Sequence, residues 1–231
     1  MMKLYTTKAQ FYDRMAQSAG KHYIDEAKLI GKIIQDNANG NRVLDLGCGT
    51  GAHAAELIKL GFKVLCSDLS KEMLAIAKKK TGAECLKMDM RRFSLRTKVD
   101  AVICLYNTIM YNRNGEELKS TFNACHGCLN PGGVLIIQVI SPNLLRKAKD
   151  STFLWDLSKK DKLIQSTFIQ FPKLTNHFTF LNTRSKIEES DWHEMRIFPL
   201  NAIKEVLKNT GFDCIRTIKD KTTVYIICRR Q

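Results

Sequence analysis

The sequence predicts an α/β fold built on a largely parallel sheet, and three observations lead there. Arg42-Val43-Leu44-Asp45-Leu46 is a short apolar run that enters a glycine-rich turn, Gly47-Cys48-Gly49-Thr50-Gly51, and a helical pattern follows from about Ala52 to Leu60. From there to Ile140, strand-like and helix-like stretches alternate with short connections, as parallel pairing with helical crossovers requires. Between Ser141 and Phe198 the rhythm breaks into stretches of alternating polarity, the pattern of antiparallel strands with one wet face.

A chain of 231 residues has room for one large core. Its 44% hydrophobic and 26% charged residues are ordinary for a globular protein. No apolar run approaches the ~20 residues that span a bilayer. Met1-Met2-Lys3-Leu4-Tyr5 has no signal-peptide core, so a cytoplasmic location and no membrane partner are expected. Among eight cysteines, Cys66, Cys85, Cys104 and Cys228 lie in apolar strand-like runs and read as small core side chains. Cys125-His126-Gly127-Cys128 has metal or redox spacing but no second pair, and no metal site is expected. The net charge of +14 comes from 37 basic and 23 acidic residues. These are scattered, and the densest run, Lys78-Lys79-Lys80, closes a helix where the dipole favours cations. Scattered charge makes no groove for phosphates, which disfavours nucleic acid as a partner.

Each element follows in order. Residues from about Tyr5 to Asn37 read as two helices joined at Ser18-Ala19-Gly20, the second striped by Ile24, Ala27, Leu29, Ile30, Ile33 and Ile34. The glycine turn lets the backbone pass beneath a ligand, with helix N–H groups and the dipole aimed at it. Two ligand classes fit. Gly47-x-Gly49-x-x-Ala52 satisfies the dinucleotide pattern, with Asp68 at about the ~20-residue offset of a ribose-binding acid. Asp45, however, would repel a pyrophosphate and attract an ammonium or a sulfonium, as S-adenosylmethionine (SAM) carries.

Strand two, Lys63 to Ser67, ends in Asp68-Leu69-Ser70, which places an acid to accept both ribose hydroxyls. Ser70 caps a helix whose inner face carries Met73, Leu74, Ile76 and Ala77; Leu69 and Met73 could flank an adenine, and Met73 equally suits a core. Strand three, Ala83 to Leu86, leads into Asp89-Met90. Strand four, Val99 to Leu105, opens the loop Tyr106 to Tyr111, beyond the carboxyl ends of the strands where open sheets bind ligands. A helix from about Gly115 to Leu129 stops at Asn130-Pro131-Gly132-Gly133 before strand five, Val134 to Ile140. After Trp155, the stretches Leu163–Phe171, His177–Ile187 and Asp191–Phe198 predict a small antiparallel sheet lying over the site as a lid. Pro199 opens a last helix ended by Gly211, and Phe212–Ile218 with Thr223–Arg229 form a terminal hairpin.

Val43-Leu44-Asp45-Leu46-Gly47-Cys48-Gly49-Thr50-Gly51 resembles the first motif of the class I SAM-dependent methyltransferases. The resemblance implies an α/β, Rossmann-like, seven-stranded sheet of order 3-2-1-4-5-7-6 with the last strand antiparallel and a small antiparallel β insertion after strand five. One domain would then cover residues 1–231, with an N-terminal helical cap over about 1–40 and a lid over about 141–198. It implies SAM as cofactor and S-adenosylhomocysteine (SAH) as product, held by Tyr23, Asp45, Gly47, Gly49, Asp68, Leu69, Met73, Asp89, Met90 and Leu105. Asp89 would accept from the adenine amine, and the Met90 N–H would donate to a ring nitrogen.

The loop after strand four lacks the Asn/Asp-Pro-Pro-Tyr/Phe of base and glutamine methyltransferases, and no Pro-Cys pair is present. In detail the chain is similar to small-molecule sugar N,N-dimethyltransferases. That likeness puts Tyr12 and Tyr111 on the acceptor as catalytic residues, with tyrosine at 111 where histidine is expected. Trp155 and Arg196 are the further substrate-binding candidates, Arg196 for an anionic group. No His-Asp or Lys-Asp pair is evident near the loop to deprotonate a hydroxyl, which favours an amine acceptor. A monomer or homodimer acting on a small molecule is expected. An RNA- or protein-directed methyltransferase and a non-catalytic SAM-binding protein are the alternatives.

Overall fold

The computed structural model describes residues 2–185, 187–220 and 222–231; Met1, Lys186 and Lys221, which fall inside expected segments, lie outside the described residues. Its chain opens on short 3-10 turns at Lys3–Tyr5 and Ala9–Phe11, then α1 (Tyr12–Ser18) and α2 (Tyr23–Asn37). There follow β1 (Arg42–Leu46), α3 (Ala52–Lys59), β2 (Lys63–Asp68), α4 (Lys71–Thr81), β3 (Cys85–Lys87), β4 (Val99–Cys104), α5 (Gly115–Cys128) and β5 (Leu129–Ile140). The insertion holds α6 (Pro142–Leu145), β6 (Ser151–Asp156), β7 (Asp161–Gln170), β8 (Lys173–Asn182) and β9 (Ile187–Arg196). The chain then returns through α7 (Leu200–Asn209), β10 (Phe212–Asp220) and β11 (Thr223–Arg230).

Seven strands form one sheet in the order β10-β11-β5-β4-β1-β2-β3, and β6 to β9 form a second sheet in sequence order. β1 pairs parallel with β2 and β4, while β11 runs antiparallel to both β5 and β10. This is the expected order with the last strand reversed. Because successive strand side chains face opposite ways, Val43 packs with α2 and α3 (Ile30, Ile34, Leu57) and Leu44 with α5 and α7 (Phe122, Leu207). Burial on both faces is what a parallel sheet between helix layers needs, and the runs are accordingly almost wholly apolar.

Three expectations shift. The first N-terminal helix breaks into 3-10 turns and the seven-residue α1, because the chain at Thr6 leaves helical space and Leu4 is drawn into a core under the insertion. β5 begins at Leu129 rather than Val134, and Pro131-Gly132-Gly133 sits in the register shift opposite Val99 and Ala101. A Cβ at Gly133 would stand 2.9 Å from the Asn130 carbonyl, so the bulge closes only on glycine. The insertion has four strands, not three, since Trp155 belongs to β6 and the turn at Phe171-Pro172 starts β8 at Lys173. Its inner face sets Leu163, Phe178 and Phe180 against Leu4 and Met15, which places the lid on the N-terminal segment.

Candidate active site

A cavity of about 330 Å³ lies at the carboxyl ends of β1, β2 and β4, roofed by Met2, Tyr5 and Tyr12 of the N-terminal segment. Tyr12, Tyr23, Asp45, Gly47, Gly49, Asp68, Leu69, Asp89, Met90, Leu105 and Tyr111 all line it. Met73, Trp155 and Arg196 do not. Met73 is 1% exposed and packs in the core, its amide donating to the Ser70 cap at 3.1 Å. Trp155 packs against the core that joins the lid to the N-terminal segment and stacks on Phe153 at 5.6 Å. Arg196 is exposed, opposite Lys173 and one residue out of step with the inward-facing His193 and Met195, and its guanidinium lies over Phe198, away from the cavity.

The glycine loop uses its amides differently from the expectation. Gly47 and Cys48 both donate to the Ser67 carbonyl at 2.8 Å, and Gly49 donates to Asp68 Oδ2 at 2.9 Å. The Ser70 amide completes Asp68 by donating to Oδ1 at 2.9 Å. Burial pushes the Asp68 carboxyl up against these amides, which pull it down. What the loop offers is close approach. Gly47 has φ +74°, and a Cβ there would stand 2.5 Å from Thr108 Cγ2.

Asp45 is 2% exposed, and its Oδ2 has no hydrogen-bond partner among the described residues. Burial pushes its carboxyl well above the usual range. A buried carboxylate oxygen left unpaired on a cavity wall is costly unless a cation meets it there. Asp89 is held otherwise: Arg91 forks onto it, Nε to Oδ1 at 2.8 Å and Nη2 to Oδ2 at 2.7 Å, and keeps it below its ordinary value. Beside the first turn of α3, His53 Nε2 lies 2.8 Å from Glu26 Oε2, which also accepts from Lys21 Nζ at 2.5 Å. Burial draws both His53 and Lys21 down, and those two partners hold Glu26 low against its own burial.

At the wall and behind it stand contacts that the sequence pattern did not indicate. Tyr106 and Asn107 sit at positive φ (51° and 68°), a strained pair after β4 pinned by Gln138 Oε1 on the Tyr106 amide at 2.8 Å. Tyr5 Oη lies 2.6 Å from Tyr111 Oη, and Tyr111 Oη lies 3.3 Å from His193 Nδ1. His193 Nε2 is 3.0 Å from Asp191 Oδ2. A His-Asp pair therefore does stand behind the loop. Its one sequence signal was Asp191-x-His193, two residues that share a face of a strand.

A methyltransferase-domain family model matches residues 43–133. The candidate methyltransferase YqeM of Bacillus subtilis (strain 168) is 31% identical over 191 residues, covering 78% of this chain and 77% of YqeM. The chain belongs to the SAM-dependent methyltransferase family. The dTDP-3-amino-3,4,6-trideoxy-alpha-D-glucopyranose N,N-dimethyltransferase of Streptomyces venezuelae is 31% identical over 132 residues, 56% of each chain, so that likeness spans about half of that relative. In fold, the chain resembles the Streptomyces venezuelae DesVI crystal structure (TM-score 0.83, 22% identity, 97% and 98% of the two chains). It resembles a Clostridium acetobutylicum ATCC 824 SAM-dependent methyltransferase similarly (TM-score 0.82, 21% identity, 97% and 98%).

The wall of this methyltransferase fits SAM on its own terms. The unpaired Asp45 oxygen suits an ammonium, and Asp68 keeps lone pairs on both oxygens for hydroxyl donors after taking two amides. Among the described residues no helix is long and apolar enough to cross a membrane.

Proposed function

We propose that this methyltransferase acts on an amine nitrogen of a small metabolite of the amino-sugar kind. The observation that carries the reading is how the cavity is covered: the N-terminal segment roofs it and Tyr5, Tyr12 and Tyr111 wall it, an enclosure that suits a small molecule. Relatives named as amino-sugar N,N-dimethyltransferases and as glycine/sarcosine N-methyltransferases support nitrogen as the acceptor atom.

When bound, SAM supplies an electrophilic methyl group on a sulfonium. In this reading Asp45 holds the ammonium of its amino-acid end and Asp68 its ribose hydroxyls. Asp89, already oriented by Arg91, and Met90 meet the adenine edge, while Leu69 and Leu105 give apolar contact. Gly47 and Gly49 keep the floor low, and Tyr23 closes the side beside His53 at a ring separation of 4.9 Å. Tyr12 and Tyr111 orient the acceptor, so that alignment with water excluded supplies most of the acceleration.

The test is transfer of a trideuterated methyl group from labelled SAM, read by mass spectrometry. Three acceptors are offered separately: dTDP-3-amino-3,4,6-trideoxy-alpha-D-glucopyranose, glycine, and total cellular RNA. Label on an amine of either small molecule is the expected result. Label on RNA with none on the amines overturns the reading.

A further inference from the structure

Four side chains from three distant parts of the chain form one line of hydrogen bonds leading away from the cavity. Tyr5 Oη meets Tyr111 Oη at 2.6 Å, Tyr111 Oη meets His193 Nδ1 at 3.3 Å, and His193 Nε2 meets Asp191 Oδ2 at 3.0 Å. The Leu4 amide donates to the same Asp191 oxygen at 3.0 Å. That end fixes the direction of the line. A carboxylate oxygen can only accept, so His193 carries its hydrogen on Nε2 and presents a lone pair at Nδ1. Nδ1 then accepts from Tyr111, whose oxygen in turn accepts from Tyr5.

Tyr5 and Tyr111 line the cavity; His193 and Asp191 do not, and His193 is 1% exposed. The other faces of the imidazole are aromatic: the Tyr5 ring at 4.7 Å and the Phe178 ring at 4.6 Å, from the N-terminal segment and β8. Asp191 is its charged partner on β9 itself, and Tyr111 faces it from the 3-10 turn after β4. Apolar side chains would hold the lid to the N-terminal segment without the cost of desolvating a His-Asp pair. The pair also points its one unused lone pair at a hydroxyl on the cavity wall.

We propose that His193, oriented by Asp191 and reached through Tyr111, is the proton acceptor for the substrate that is methylated. The proposal rests on the reading of the cavity as an amine methylation site. As the nitrogen lone pair forms the new C–N bond, the sulfur–methyl bond breaks and sulfur keeps its electron pair. The nitrogen is left cationic and sheds one proton. Tyr111 Oη takes that proton while passing its own to His193 Nδ1, and the resulting imidazolium is balanced by Asp191. Tyr5 donates to Tyr111 throughout and holds its hydroxyl in line. Burial draws His193 below its ordinary value against the pull of Asp191, which keeps the ring neutral and able to accept at neutral pH. The relay matters most for a second methylation of one nitrogen, which cannot begin until the first product has lost its proton.

The test has two arms. In the full chain with SAH bound and histidines labelled with nitrogen-15, long-range proton–nitrogen correlations report the tautomer of each of the five histidines. His193, assigned by its loss in His193→Gln, is expected as the neutral Nε2–H form, with its Nδ1 resonance displaced in Tyr111→Phe. An Nδ1–H form, or no displacement, overturns the proposal, whatever acceptor the enzyme uses. In the second arm, transfer to dTDP-3-amino-3,4,6-trideoxy-alpha-D-glucopyranose is followed against pH. His193→Gln is expected to lower kcat by about 100-fold and to remove the His193 step from the acidic limb of the kcat profile, leaving a single ionisation that moves with the acidity of the acceptor amine, with SAH affinity unchanged within about twofold. An acidic limb of the same position and shape in His193→Gln and the unaltered protein overturns the relay. No turnover of this sugar by the unaltered protein counts against the amino-sugar reading alone, and the tautomer arm then decides the relay.

Discussion

The amide of Gly49 donates to Asp68 Oδ2 at 2.9 Å, tying the glycine loop to the end of β2 across 19 positions of sequence. With the Ser70 amide on its other oxygen, Asp68 is a structural clasp before it meets any ligand. Asp68→Ala leaves two amides without their acceptor, at about 1–3 kcal/mol each where water does not reach them. Urea unfolding of Asp68→Ala should show a loss of roughly 2–4 kcal/mol, and calorimetry should show SAH binding abolished. An unchanged unfolding midpoint would rule out the clasp.

Asp45 should behave in the opposite sense. Its Oδ2 is buried without a partner, so the folded protein gains nothing from the charge that the ligand is there to meet. Asp45→Asn should leave the melting temperature of the ligand-free protein unchanged or raised. It should also weaken SAH by the worth of a charge-assisted hydrogen bond, about 1.5–3 kcal/mol or roughly 10- to 100-fold.

The same carboxyl sets a pH dependence. Its folded-state pKa is raised above the unfolded value, so the folded state binds the proton more tightly and stability falls as pH rises between the two. Melting of the ligand-free protein should therefore lose stability upward from about pH 4, the unfolded aspartate range, while SAH affinity climbs over the same window. In Asp45→Asn both slopes should flatten. A slope that survives the substitution belongs to another group.

These contrasts also mark what the sequence could and could not say. Val43 and Leu44 alternate between two cores, and the acids Asp45, Asp68 and Asp89 sit at the ends of strands, so local pattern placed them on one edge of the sheet. Met73 carried no such information, because an apolar residue on the inner face of α4 suits core and ligand equally. For Arg196 the question was one of parity in a strand whose facing is set by its pairing with β8. Tyr5, Asp191 and His193 were invisible for another reason. Leu4 meets Asp191 across 187 positions, and no periodicity within a single sequence reports which distant segments pack together.

Gly47 offers a coupled prediction. Its φ of +74° disfavours any L side chain by about 1–2 kcal/mol. A Cβ would also press on Thr108 Cγ2 at 2.5 Å. Gly47→Ala should thus cost roughly 2–4 kcal/mol. Thr108→Ala alone should cost about 1 kcal/mol for the bond its hydroxyl makes to the Leu105 carbonyl at 2.8 Å. The double variant should be less destabilised than the sum by about 1–2 kcal/mol, since the clash is gone but the backbone strain is not. Additive losses in urea unfolding would show that Thr108 does not limit the loop.

The N-terminal segment is pinned to the core and to the insertion, and its individual pins differ in strength. On the core side Asp13 accepts from the Thr50 hydroxyl and from Lys80 Nζ, the latter at 2.5 Å, and the Tyr5 carbonyl accepts from Ser70 Oγ. On the other side Leu4 packs into the insertion and its amide donates to Asp191, while Lys8 adds an ion pair to Glu189 at 2.8 Å, open enough to water to be worth at most about 1 kcal/mol. This segment roofs the cavity, so removing the Asp13 pin should raise the population in which the roof is open. Asp13→Ala should speed tryptic cleavage after Arg14 by about 5- to 30-fold, the equivalent of 1–2 kcal/mol, and Lys8→Ala by less than about fivefold. SAH should slow cleavage in both variants, and in Asp13→Ala its association and dissociation rates should rise together, with affinity changing less than either. Equal cleavage rates in Asp13→Ala and the unaltered protein would mean that the roof is held elsewhere.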